Sequence, residues 1–170
     1  MELYKRIKKE VDKIWLTDTH EHLVAEARRL KDKVDFFSLF GHYASTDLVS
    51  AGMPADKMDF VRNPEGPLDE RWKIIEKHWE NARTTSYGRV LISACRDLYG
   101  IADINAKTYA KLSARITAAN KPGFYKHVLR EKAGISTSLK TVNTPKVNEN
   151  QADGDMLLPV YLVDPWIKVR

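Results

Sequence analysis

Residues 14–23 read IWLTDTHEHL, passing from an apolar run to a cluster of Asp18, His20, Glu21 and His22. The apolar half predicts a short buried strand. A strand that finishes in ionisable groups narrows the fold, because parallel α/β architectures place reacting groups at the carboxyl ends of their strands. Side chains two apart on a strand share a face. His20 and His22 can therefore converge on one ion, and imidazole suits zinc and similar divalent metals. Asp18 shares that face if the strand stays regular, either bracing the histidines or adding a ligand. Glu21 should point away. The competing reading is that the pair is incidental, since His-x-His alone is a weak pattern.

The flanking sequence sets this strand in an α/β order. Tyr4, Ile7, Val11 and Ile14 recur at helical spacing and predict an amphipathic helix over 2–13. Beyond the strand, DFFSLFGHYASTDLVSAGMP carries aromatics, then helical spacing, then a Gly-Met-Pro stop. A strong helix is expected from Leu68 to Arg83, with Leu68, Trp72, Ile75 and Trp79 as its core stripe and His78 on its surface. Further helices are expected near 86–99, 106–119 and 122–132. Asp103 or Asn105 is the candidate cap of the second of these, Pro122 falls in the first turn of the third, and Gly134 is a stop. His127 reads as a structural helix residue, and Cys95 as a small buried one. The period then changes. ISTSLKTV (135–142) alternates as a strand, Asn143-Thr144-Pro145 turns, and KVNENQADGD is a polar loop. MLLPVYLV (156–163) is another buried-strand run, closed by Asp164-Pro165, with Pro159 arguing against a central position.

Charge and cysteine usage exclude several classes. The chain carries 28 basic and 23 acidic residues, a net +5, but the two signs are mixed along its whole length. No clustered basic face marks a nucleic-acid footprint. No apolar run reaches the roughly 18 residues of a membrane span, and the N-terminus lacks the apolar segment of a secretory signal. A single cysteine excludes an intrachain disulfide. The expectation is a cytoplasmic protein with no nucleic-acid or membrane partner. A small-molecule substrate and a second copy of the chain remain as candidate partners.

DTHEHL after an apolar strand resembles the first-strand signature of the amidohydrolase superfamily, the metal-dependent TIM-barrel hydrolases. FGHYASTDLVSAGMP resembles the His-Tyr segment of uronate isomerases. GPLDERWKIIEKHWENARTTSYGRVLISACRDLYGI is similar to their helical insertion, EKAGISTSLKTVNTP to their second strand and LLPVYLVDP to their third. These segments are collinear over about residues 14–165.

The resemblance implies the N-terminal part of a (β/α)8 barrel with a helical insertion after the first strand. The first strand and its metal motif would lie at 14–23, the insertion and first barrel helix at 24–133, and the second and third strands at 135–165. A complete barrel takes about 250 residues, so 1–170 reads as a single incomplete domain. The resemblance further implies a divalent metal, zinc by preference, on His20 and His22. It places Tyr43, with its neighbour His42, near substrate, and puts the catalytic carboxylate on a last strand outside this chain. The sequence departs from the isomerases at Leu162, where they carry an arginine, and at ASTDL, which lacks their basic residue. A sugar acid would want such cations.

Three readings follow. The first is a metal-dependent hydrolase acting on a small polar substrate through metal-activated water. The second is an aldose–ketose isomerase of sugar acids. The third is a non-catalytic helical interaction domain in which the histidine pair is incidental.

Overall fold

The computed structural model describes residues 1–142, 152–161 and 167. The expected Asn143-Thr144-Pro145 turn, most of the polar loop after it, Leu162 and the Asp164-Pro165 stop lie outside the described residues. The helices are α1 (Glu2–Val11), α2 (Glu26–Arg29), α3 (His42–Ser50), α4 (Met58–Arg62), α5 (Leu68–Ala82), α6 (Ser86–Tyr99) and α7 (Tyr109–Ala119). The strands are β1 (Leu16–Glu21), β2 (Ile135–Val142) and β3 (Leu157–Tyr161). The fold is mixed α/β. It divides into two compact units, Met1–Asp32 with Lys121–Arg170, and Lys33–Asn120.

The first unit holds a three-stranded parallel sheet of order β1-β2-β3. Parallel neighbours cannot be joined by a tight turn, and residues 22–134 separate β1 from β2. Leu16 N–H donates to Gly134 O at 2.8 Å, starting the β1–β2 pairing where the preceding helix ends. That helix runs as a π-helix over Lys126–Lys132 and stops at Gly134, whose φ of 66° is left-handed. Pro122 lies in the turn before the helix rather than in its first turn. Pro159 pairs with Lys140. Among the described residues β3 has a strand on one side only, and a missing N–H is tolerated there.

One expectation about burial is corrected. The strand expected within 14–23 forms over Leu16–Glu21, but Ile14, Trp15 and Leu16 are 59%, 63% and 52% exposed. Its burial depends on neighbours across the sheet, and the described residues supply only β2, on one edge. Helix α1 likewise forms and buries none of its residues; Tyr4, Ile7 and Val11 all face solvent. Because no described residue buries it, Ile7→Ser is expected to change stability by less than about 0.5 kcal/mol. Urea unfolding of the two proteins would check this, and a loss above about 1.5 kcal/mol would show that the stripe packs against something.

The second unit is helical and carries a continuous apolar core. Phe36, Phe37, Phe40, Leu48, Val61, Trp72, Ile75, Trp79, Ile104 and Leu112 are nearly or fully buried there. The α5 stripe is wider than its spacing suggests, since Arg71 and His78 are buried beside the tryptophans. His78 was expected on the surface. It is 6% exposed, with Nδ1 3.0 Å from Ala51 O. The polar ring is tolerated inside because it has a hydrogen-bond partner. Helix α6 has the expected span. Thr85 Oγ1 accepts from Gly88 N–H at 3.0 Å at its start, and left-handed Gly100 ends it. Helix α7 begins later than expected. Asn105 Oδ1 accepts from Lys107 N–H, closing an Asx turn, and Thr108 rather than Asp103 or Asn105 holds the cap position.

Candidate metal centre

The histidine pair lies at the carboxyl end of β1. Its ladder to β2 pairs Asp18 with Ser138 and Glu21 with Lys140, so three steps on β1 oppose two on β2. This irregularity lies between Asp18 and Glu21, the stretch that holds His20, and such bulges re-aim a strand end. The two rings nevertheless converge. His20 Nε2 and His22 Nε2 stand 3.2 Å apart, with ring centroids 4.8 Å apart and planes near perpendicular. Both residues are exposed.

That separation can be tested against the chemistry of a metal. With Zn–N bonds of about 2.0–2.1 Å in a tetrahedral site, two ligating nitrogens lie roughly 3.3 Å apart. The pair fits two adjacent corners of such a site. It equally fits one neutral imidazole donating its N–H to the other. Among the described residues, no group of three His, Cys, Asp or Glu side chains is placed to hold an ion.

The carboxylates beside the pair serve the backbone. Asp18 Oδ1 accepts from His20 N–H at 3.2 Å. Glu21 does not simply point away; its Oε1 accepts from His22 N–H at 2.6 Å and Leu23 N–H at 3.2 Å. Lys140, across the ladder from Glu21, donates from Nζ to Leu23 O. Further on, Tyr125 Oη donates to Val24 O at 2.7 Å, and Glu26 accepts from Gly123 N–H and Tyr125 N–H. Burial pushes the Tyr125 phenol up to about 12. Sequence reasoning did not find Lys140. Its alternation marked a strand residue, but only the register sets it opposite the histidine motif.

His42 and Tyr43 belong to the second unit. His42 opens α3 with a φ of 44°, a conformation uncommon outside glycine. Tyr43 is exposed and stacks on Tyr87, centroids 4.9 Å apart and planes 12° from parallel. Cys95 is fully buried as expected, and burial pushes its thiol up to about 12. It is no nucleophile at neutral pH. His127 is exposed and pairs with Glu131 at 2.9 Å.

No protein-family profile matches the chain, and no curated protein matches it. Nor is any helix among the described residues long and apolar enough to cross a membrane.

Proposed function

We propose that this chain is part of a metal-dependent hydrolase of the amidohydrolase type, with His20 and His22 as two ligands of a divalent metal, zinc by preference. The observation that carries the reading is the 3.2 Å approach of the two Nε2 atoms at the end of β1. The consecutive parallel order β1-β2-β3 supports it, since a (β/α)8 barrel begins with that order and bears its reacting groups at that end of its strands. On this reading the sheet is the opening of such a barrel. Two imidazoles leave coordination positions for other donors, for water and for a small polar substrate. When bound, such an ion supplies Lewis acidity, lowering the pKa of water toward neutrality. What the chain itself contributes is two imidazole nitrogens 3.2 Å apart and a backbone shaped by bonds to Asp18 and Glu21. The sugar-acid isomerase and the interaction domain stand as alternatives.

Titration calorimetry with Zn2+ and the visible absorption of added Co2+ test this directly. One ion should bind per chain, and His20→Ala and His22→Ala should each abolish binding while leaving the circular dichroism unchanged. His127→Ala serves as the control, because its pairing with Glu131 is an exposed His-carboxylate pair on the helix that precedes β2. Binding that survives the double substitution His20→Ala/His22→Ala, or is lost with His127→Ala instead, would overturn the assignment.

A further inference from the structure

A pair of ligands is only as good as the backbone that aims it, and partners outside the ligand set commonly fix that aim. Here β1 cannot do so alone. Its regular pairing is interrupted between Asp18 and Glu21, and His22 lies beyond its last residue. The bonds from Asp18 to His20 N–H and from Glu21 to His22 and Leu23 N–H are local, spanning one or two residues. They shape the segment without tying it to the sheet. The bond from Lys140 Nζ to Leu23 O spans 117 residues and comes from the neighbouring strand.

Glu21 and Lys140 are register partners in the parallel ladder, where their opposite charges could pair. Instead both reach the same short segment. The carboxylate takes its N–H groups, and the ammonium takes its carbonyl. Among the described residues Lys140 pairs with no carboxylate, and a half-buried ammonium spent on a main-chain oxygen forgoes that stronger bond, so its use here points to the segment it holds. We infer that Lys140 is a positioning residue for the histidine pair, clamping the Leu23 carbonyl from β2 while Glu21 holds the amides, and so fixing His22 at chelating distance from His20. The consequence for affinity rests on the metal reading; the clamp itself does not.

The test uses the full chain and two readouts. Lys140→Met keeps the aliphatic stem and removes the donor, whereas Lys140→Arg keeps a donor. Co2+ titration should show the dissociation constant rising about tenfold or more in Lys140→Met, the range seen when an outer partner of a metal ligand is removed. Lys140→Arg should recover most of it. In the metal-free protein, hydrogen exchange across residues 22–24 should be faster in Lys140→Met, with the thermal midpoint unchanged. Unchanged exchange overturns the clamp. Faster exchange with wild-type Co2+ affinity overturns the link from clamp to metal. If the wild-type chain binds no Co2+, the metal reading fails by itself, and faster exchange would still support the clamp.

Discussion

Replacing Arg71 with alanine is expected to cost the second unit about 3–5 kcal/mol, the usual penalty for breaking a buried ion pair by removing one partner. Arg71 is 1% exposed. Its Nη2 donates to Asp35, its Nη1 to Val61 O at 3.3 Å, and its guanidinium lies 4.4 Å from the Phe37 ring centroid. Alanine would leave the Asp35 carboxylate, 8% exposed, without its counter-charge and the Val61 carbonyl without this donor. Asp35 also accepts from Phe37 N–H at 2.8 Å and caps the 3-10 turn that carries Phe36 and Phe37 into the core. The damage should therefore spread into that turn. Urea unfolding would measure it. The double substitution Arg71→Met/Asp35→Ala should cost less than the sum of the single ones, because it leaves no orphaned charge. A loss below about 1 kcal/mol for Arg71→Ala would mean that water replaces the guanidinium without penalty.

Trp79→Ala should be comparably severe, about 3–5 kcal/mol by loss of a large buried aromatic. Trp79 is 1% exposed, packs edge-on against Phe40 at 5.7 Å, and donates from Nε1 to Ile104 O at 2.9 Å. Trp79→Phe separates the two contributions. It keeps most of the apolar volume but leaves the Ile104 carbonyl unpaired, at a cost of about 1–3 kcal/mol. Chemical denaturation of wild type, Trp79→Phe and Trp79→Ala should give stabilities falling in that order. Equal losses for the two variants would assign the whole effect to the hydrogen bond.

Much of this architecture is legible in local pattern. The α5 stripe of Trp72, Ile75 and Trp79, the span of α6 from Ser86 to Tyr99, and β2 from Ile135 to Val142 all follow from periodicity and from stop residues such as Gly100 and Gly134. These signals act over one or two turns of chain, so the sequence displays them directly. The two-residue spacing of His20 and His22 is equally legible, although the ladder is irregular there and His22 lies past the end of β1.

Other features needed contacts distant in sequence. His78 and Arg71 look like surface residues on a helical wheel, and they are buried because Ala51 and Asp35 supply partners 27 and 36 positions away. The apolar stripes of α1 and the start of β1 look like core and are exposed, because periodicity shows which face could be buried and not what packs on it. Lys140 carried no signal of its own; the parallel register alone sets it opposite Glu21 and within reach of Leu23. The sequence by itself determined α5, α6, β2 and the placing of two histidines at the end of a strand, because each depends on neighbours along the chain. Only the tertiary structure decided which polar groups are buried, which apolar faces stay open and what grips the segment behind the histidines, because each depends on groups that folding brings together.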